Sequence, residues 1–203
     1  GINLCDGTTD SVVEQCHLRN TGDDALATWS PSGDWSSKQP GQRNRFLFNT
    51  VESPWHANGI GIYGGHDHEA TGNLVVDTVQ SGGGALVSSG HGACPFAGVI
   101  RIEDNRFIRT GGDCYIDGEN GGLWIHAHES DIAIPIVIRN LEILDSKRAG
   151  ITIHGPRALR NATLENILIQ SPQERGIQIM PGAGEVSLTT DGMRIVRTPA
   201  PAP

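Results

Sequence analysis

The stretch that decides the fold runs from Ile136 to Gly155 and reads IVIRNLEILDSKRAGITIHG. A short β-rich run and a polar turn are followed by a glycine, which leads into a second short β-rich run. Apolar and polar residues alternate in that second run, Ile151–His154, so that one side chain points inward and the next outward. Branched apolar residues suit a pleated, half-buried wall. The stretch therefore predicts two short strands joined by a tight corner.

The same layout recurs along the chain. Steps of 34, 26, 37, 28 and 26 residues separate the positions that we align in the second runs, which are Leu26, Ile60, Leu86, Leu123, Ile151 and Ile177. A base of about 26 residues with occasional insertions fits one coil of a solenoid per step. No apolar 3-4-3 period lasts for the roughly 11 residues expected of an amphipathic helix. We therefore predict an all-β, right-handed parallel β-helix, with a β-sandwich as the alternative.

Composition limits the partners. The chain has 203 residues, a formal net charge of −8 and 27 glycines, which we expect to serve turns and tight backbone positions. An acidic chain disfavours nucleic acid and anionic membrane surfaces, and no stretch reaches the roughly 18 apolar residues of a membrane span. The cysteines fit either two extracellular disulfides or buried free thiols, and they match no metal-site spacing. They are Cys5, Cys16, Cys94 and Cys114.

The two ends predict the domain organisation. Residues 1–197 are interpreted as a β-helix catalytic domain fragment, and residues 198–203 as a stiff Pro/Ala linker. No polar cap covers the first coil, although a solenoid needs one to avoid edge pairing. We therefore expect N-terminal coils to be missing and further domains to be attached in the parent protein.

The densest polar constellation is the run Asn20–Ser30, in which Asp23 and Asp24 stand at a turn before a strand. Paired carboxylates carry out glycoside hydrolysis, in which one donates a proton to the leaving oxygen and another activates water or attacks. Gly-Asp-Asp also suits an ordinary turn whose aspartates bond their own backbone. We take both aspartates as candidate catalytic residues.

Aromatic and polar residues near this turn are candidates for substrate binding. Indole faces offer flat apolar surfaces to sugar rings, although Trp29 also fits a core position. If coils stack in register, the run Tyr63–His68 lies one coil away from the aspartates. Its His-Asp-His part is open to three interpretations: a sugar-contacting surface, an ordinary polar turn or, without a third ligand in evidence, a metal site. The predicted substrate-binding residues are Trp29, Trp35, Tyr63, His66, Asp67 and His68, with no metal site expected, and His91, His126 and His128 extend the same groove.

Two segments carry a resemblance to a known family. Gly1-Ile-Asn3, followed by residues 9–30 with the sequence TDSVVEQCHLRNTGDDALATWS, resembles the catalytic coils of glycoside hydrolase family 87, the bacterial α-1,3-glucanases and mycodextranases. Asn58-Gly-Ile-Gly-Ile-Tyr-Gly-Gly65 is similar to the continuation of that family's β-helix. The resemblance extends to about Val196, and the first thirty residues are its specific part.

The resemblance implies an inverting endo-hydrolase of α-1,3-glucosidic bonds in a neutral α-glucan, either α-1,3-glucan or nigeran. Its catalytic aspartates would match Asp23 and Asp24. The family also uses an aspartate in an Asp-Gly-Ile-Asn context, which would be the residue immediately before Gly1 and is not part of this sequence. We expect a secreted, extracellular monomer that acts on polysaccharide and needs no cofactor. Structural Ca²⁺ on surface loops is compatible with such a fold.

Two alternatives remain open at this point. Pectin-degrading enzymes of the polygalacturonase type share the Asp-Asp pair, but they carry Gly-His-Gly where this chain has Gly65-His-Asp67. Their Arg-x-Lys motif for binding a uronate has no clear counterpart here, and Arg175 is the nearest place to look. The second alternative is a non-catalytic, polysaccharide-binding β-helix, which would have no need of an aspartate pair beside Trp29.

Overall fold

The computed structural model describes residues 1–113 and 118–197, and every regular element in those two ranges is a β-strand. Across the described residues, no helix has the length and apolar character needed to cross a lipid bilayer. Cys114 and the predicted linker at residues 198–203 lie outside the described residues.

Three parallel sheets of seven strands each form the walls of the molecule. Sheet 1 consists of β1 (Ile2–Cys5), β4 (Leu26–Trp29), β7 (Ile60–Tyr63), β11 (Ala85–Ser88), β17 (Leu123–His126), β20 (Ile151–His154) and β23 (Ile177–Ile179). Sheet 2 consists of β2 (Val12–Glu14), β5 (Arg45–Leu47), β9 (Glu69–Thr71), β13 (Ile100–Glu103), β18 (Ile136–Arg139), β21 (Leu159–Glu165) and β24 (Val186–Asp191). Sheet 3 consists of β3 (His17–Arg19), β6 (Thr50–Glu52), β10 (Leu74–Val76), β14 (Arg106–Ile108), β19 (Glu142–Leu144), β22 (Leu168–Gln170) and β25 (Arg194–Val196).

Two short pairs complete the strands. They are β8 (Gly65–His66) with β12 (Phe96–Ala97), which is parallel, and β15 (Gly112–Asp113) with β16 (Glu119–Asn120), which is antiparallel. In the large sheets the chain passes through sheets 1, 2 and 3 in turn and then returns to sheet 1 beside its previous strand. Seven such coils make a parallel β-helix, which confirms the predicted fold class.

Strand register corrects one position of the predicted repeat. Ala85, not Leu86, pairs with Ile60 on one side and with Leu123 on the other. Leu86 pairs instead with Gly61 and Trp124 and faces outward. The sequence alignment chose the larger side chain, Leu86, whereas backbone pairing places the small Ala85 in the inward column. The difference matters because a register shift of one residue moves every side chain of a strand to the opposite face of the sheet.

The interior is filled by aliphatic stacks, in which inward residues of successive coils lie directly above one another. In sheet 1, Ile62, Val87, Ile125 and Ile153 form one such stack. All four have at most 1% of their surface exposed. Burial of this kind contributes about 1.5–3 kcal/mol per large aliphatic side chain, so the stacks supply most of the stabilisation between coils.

The corner between sheets 2 and 3 has the same length in all seven coils. Two residues separate the strands there, and the first has a positive φ between 50° and 70°. These first residues are Gln15, Phe48, Gly72, Asp104, Asn140, Asn166 and Gly192. The second residue points into the corner and is a buried asparagine in three coils, Asn49, Asn73 and Asn105. The Asn49 backbone N–H donates to Asn73 Oδ1 at 3.0 Å, and the Asn73 N–H donates to Asn105 Oδ1 at 2.8 Å, so the ladder satisfies its own buried polar groups.

A glycine precedes six of the seven sheet 1 strands, all except β4, and the close approach of neighbouring atoms explains why. At Gly150 an added Cβ would lie 2.5 Å from Ile169 Cγ2, and at Gly122 it would lie 2.5 Å from Ile143 Cγ2. The inward side chain of a sheet 3 strand thus fills the room that a side chain at the glycine would need. This close approach accounts for the glycine before the second β-rich run in the sequence pattern.

The corner between sheets 1 and 2 varies in length and carries the longest connection, residues 30–44. We call residues 30–44 and 89–99 the rim loops. They pair with each other through an antiparallel bridge between Pro31 and Ala93 and a hydrogen bond of 2.8 Å from Cys94 N to Ser30 O. Cys94, Cys5 and Cys16 form no disulfide and are half-buried, so these three described cysteines are free thiols but not the fully buried ones that the sequence suggested.

Candidate active site

A cavity of about 400 Å³ opens on the outer face of sheet 1 at the first coils. It is lined by Gly1, Asn3, Asp23, Asp24, Ala27, Trp29, Tyr63 and His91. The structure therefore brings both candidate catalytic aspartates together with two of the candidate binding residues, Trp29 and Tyr63. His91 joins them from the second rim loop.

The Asp24 carboxylate is held by hydrogen bonds from the next coil. Asn58 donates to Asp24 Oδ1 twice, from its backbone N at 2.7 Å and from its side-chain Nδ2 at 2.9 Å. The Tyr63 hydroxyl donates to the other oxygen, Oδ2, at 2.6 Å. These three bonds favour the charged carboxylate, but burial of the group outweighs them and raises the pKa of Asp24 above its usual value.

Asp23 has a different environment from its neighbour. Its side chain is exposed, and its Oδ1 accepts the backbone N–H of Asp24 at 2.7 Å. This short-range bond is the turn interaction that the sequence offered as the alternative to catalysis. Asp23 makes this turn hydrogen bond and also lines the cavity, because the turn places the Asp24 carboxylate inside the cavity and the Asp23 carboxylate at its edge.

The aromatic wall of the cavity joins sheet 1 to the rim loops. Trp29 donates from Nε1 to the His91 carbonyl at 3.2 Å, and its ring lies 5.4 Å from that of Trp35. Tyr63 meets the His91 ring edge-on at 5.3 Å between centroids. Trp29 packs with the outer cluster of Tyr63 and Ala27 instead of the interior core. Trp35, with 67% of its surface exposed, extends this wall beyond the cavity lining.

The other predicted binding residues, His66, Asp67 and His68, are not part of the cavity lining, and their contact with substrate stays a prediction. They follow the carboxyl end of β7, where the chain turns towards sheet 2, whereas the aspartates precede the amino end of β4. His66 Nδ1 contacts Asp67 Oδ2 at 3.1 Å on the surface of this corner. His68 is buried and accepts the Asn44 backbone N–H on Nδ1 at 3.3 Å. Burial lowers the pKa of His68 to about 4.

Of the three histidines predicted to extend the groove, His91 lines the cavity, whereas His126 and His128 do not. His126 is fully buried, with its ring stacked between those of Trp124 and His154 at centroid distances of 5.0 and 5.3 Å. Its neighbour His128 is exposed. Within residues 1–113 and 118–197, no three His, Cys, Asp or Glu side chains are grouped so that they could hold a metal ion.

Sequence reasoning missed Asn58 and Gly61. Both belong to the quoted run Asn58–Gly65, from which only Tyr63 was taken as a candidate site residue. Their function depends on Asp24, 34 residues earlier than Asn58, and that proximity follows only from the register of β4 with β7.

Comparison with known proteins places the chain in a family. Residues 1–191 match the family described as alpha-1,3-glucanase catalytic domain D2. The Agl-KA catalytic domain is 26% identical with a TM-score of 0.83, over 97% of this chain and 39% of its own. The catalytic unit of thermostable GH87 alpha-1,3-glucanase from Streptomyces thermodiastaticus strain HF3-3 is 27% identical with a TM-score of 0.78, over 96% of this chain and 41% of its own.

The fold is also shared by the catalytic domain of a GH87 alpha-1,3-glucanase in complex with nigerose, at 24% identity and a TM-score of 0.78, over 97% of this chain and 39% of that one. The chain thus spans about two fifths of the length of these solved structures. No curated protein matches the sequence. From the match over residues 1–191 and the shared β-helix, we conclude that the chain belongs to the α-1,3-glucanase catalytic domain D2 family, in glycoside hydrolase family 87.

Proposed function

We propose that this protein hydrolyses α-1,3-glucosidic bonds inside a neutral α-glucan, α-1,3-glucan or nigeran, with Asp23 and Asp24 as the catalytic carboxyl groups. The observation that carries the proposal is the contrast between the two aspartates in one cavity. Asp24 is desolvated and held by three donors, whereas Asp23 is exposed at the edge. Two carboxyl groups in unlike environments are what acid–base hydrolysis of a glycoside needs.

The environments suggest a role for each group. A carboxyl group whose pKa is raised keeps its proton to higher pH and can give it to the leaving oxygen, which suits Asp24. Asp23 is open to solvent and is suited to activate a water molecule. A single displacement by that water inverts the anomeric centre. This chemistry uses side chains alone and needs no cofactor.

The cavity walls favour a neutral sugar. Trp29 and Tyr63 offer apolar ring surfaces, and no lysine or arginine side chain is among the described residues that line the cavity. A polyuronate would need cationic side chains to pair with its carboxylates. The walls therefore support a glucan over the pectin alternative. Because such polymers do not enter cells, we also propose that the protein acts outside the cell. Detection of the protein in the culture medium would test this.

Reducing-end release tests the proposal. The full-length protein is incubated with α-1,3-glucan, nigeran, dextran and polygalacturonate side by side, and we expect release from α-1,3-glucan or nigeran alone. Asp24→Asn is expected to lower kcat by about 10³-fold or more, since it removes the proton donor. The matched control is Asp145→Asn, an exposed aspartate at a later corner.

Other outcomes would decide against the proposal. Release from polygalacturonate alone would favour a pectinase. Retention of α-glucan in affinity electrophoresis with no release of reducing ends would favour a binding protein. An Asp24→Asn variant that keeps the parent rate would remove Asp24 from the mechanism.

A further inference from the structure

We propose that Asn58, Tyr63 and Gly61 are positioning residues, which hold the Asp24 carboxyl group in one orientation and leave Oδ2 as the oxygen that exchanges a proton with substrate. This inference rests on the proposed function, because it assumes that Asp24 takes part in proton transfer. It adds three residues to the candidate active site, and all three lie in the coil that follows Asp24.

Asn58 occupies one side of the carboxyl group. Its backbone N and its Nδ2 both donate to Asp24 Oδ1, at 2.7 and 2.9 Å, and so use both lone pairs of that oxygen. The Asn58 amide is itself fixed, since its Oδ1 accepts the Gly83 backbone N–H at 2.8 Å. A flipped amide would lose both side-chain bonds. A proton on Asp24 must therefore reside on Oδ2.

Tyr63 adjusts to both charge states of Asp24. Its hydroxyl donates a hydrogen bond to Oδ2 at 2.6 Å when Asp24 is charged. When Asp24 is neutral, the hydroxyl can rotate and accept a hydrogen bond from the protonated Oδ2, which keeps its proton. The ring is held by its edge-on contact with His91 at 5.3 Å. After Asp24 gives its proton to the leaving oxygen, the hydroxyl stabilises the negative charge that remains.

Gly61 provides the space for this arrangement. A Cβ at this position would lie 2.6 Å from Asp24 Oδ2 and 2.5 Å from Tyr63 Cε2. The backbone of Gly61 does not have a positive φ, so the glycine is explained by space and not by conformation. An alanine would push the carboxyl group or the tyrosine ring out of place, and both are side-chain atoms that can move without unfolding the coil.

The charged groups around Asp24 are few. Asp23 faces it from the same turn and raises its pKa further, a smaller effect than burial. The imidazole of His91 also belongs to a residue of the cavity wall. Tyr63 and Asn58 oppose the effect of burial by hydrogen bonding.

The test is Tyr63→Phe, which keeps the ring and removes the hydroxyl. Without this donor the charged form of Asp24 is less stable, so the alkaline limb of the pH–rate profile is expected to move up by about one pH unit. The matched control is Thr71→Val, which removes a hydroxyl that donates to the Glu69 carboxylate at 2.8 Å on sheet 2. We expect the control to leave the profile unchanged.

A second readout is independent of turnover. Carbon-detected NMR titration of the aspartate carboxyl groups follows Asp24 directly, and its titration should move upward in Tyr63→Phe but not in Thr71→Val. An unchanged titration would overturn the inference. A shifted titration in a protein that releases no sugar would leave the positioning intact and overturn the proposed function instead.

Gly61→Ala tests the spatial part. We expect a circular dichroism melting curve close to that of the parent and a loss of about 10²-fold in kcat, the scale of a misplacement of about 1 Å. Thr71→Val on sheet 2, whose side chain is not part of the cavity lining, is the control here as well. A Gly61→Ala variant that keeps both its melting curve and its kcat would contradict the role of Gly61.

Discussion

Substitution of Gly150 by alanine probes the close approach of sheets 1 and 3. The new Cβ would lie 2.5 Å from Ile169 Cγ2 and 2.7 Å from the Gly176 carbonyl oxygen, whereas carbon atoms pack best at about 3.5–4.0 Å. Side-chain rotation alone cannot relieve this overlap, because one of the two obstacles is backbone of the next coil. Overpacking of a core costs about 1–3 kcal/mol, and we expect Gly150→Ala to lose about 3 kcal/mol of unfolding free energy.

Urea unfolding followed by tryptophan fluorescence and circular dichroism measures this loss. Ile169→Ala removes the obstructing side-chain atoms and on its own should cost about 2–5 kcal/mol. In the double variant the new methyl occupies part of the vacated space, so the two losses should fall short of additivity by about 1–2 kcal/mol. The unfolding free energy of Gly22→Ala should stay within about 0.5 kcal/mol of that of the parent, because none of the described heavy atoms lies within 4 Å of a Cβ placed at Gly22. A loss below about 0.5 kcal/mol for Gly150→Ala, or strict additivity with Ile169→Ala, would refute the explanation by space.

Two further predictions concern the cavity wall and a buried histidine. Trp29→Ala should raise KM by about tenfold and Trp35→Ala by about threefold, because Trp29 lines the cavity and Trp35 does not. Steady-state assays measure both KM values. Equal KM values for the two variants would contradict the prediction. His68 has a pKa of about 4 in the folded protein, below its unfolded value, so its contribution to stability is complete above about pH 6.5 and is lost as pH falls towards 4. Between about pH 7 and pH 4, the unfolding free energy of the parent should therefore fall by up to about 3 kcal/mol more than that of His68→Gln. Urea unfolding midpoints at each pH measure this difference. Equal losses of unfolding free energy in the two proteins would contradict the low pKa of His68.

Periodicity was sufficient to predict the fold because the β-helix repeats its physical constraints. The alternation in Ile151–His154 and the glycine before it recur in most coils, and each reflects a pleated wall or a narrow corner. The register of a single strand was harder to predict. Leu86 is the larger apolar residue, yet Ala85 lies inside, because backbone pairing with Ile60 and Leu123 fixes the direction of its side chain.

The site was predictable where neighbours in sequence are also neighbours in space. Asp23 and Asp24 share a turn, and the motif around them is specific. His66 and His68 lie farther from that turn than the sequence suggested, because they follow the carboxyl end of β7 and do not line the cavity, whereas the side chain of Tyr63 at the same end reaches Asp24. Asn58 was missed for the opposite reason, since its contact with Asp24 joins two coils and leaves no local signal.

The rim loops lie at a corner where the length of the chain can vary. Residues 30–44 and 89–99 leave sheet 1 and re-enter sheet 2 between the same two strand ends as the short segment 155–158 does in a later coil. Loop length at this corner is therefore independent of strand pairing, while the aspartates belong to the turn at the opposite edge of sheet 1. Residues 30–44 can therefore be exchanged without changing the pairing of the coils or the turn that carries Asp23 and Asp24, whereas residues 89–99 include His91, which contacts the ring of Tyr63.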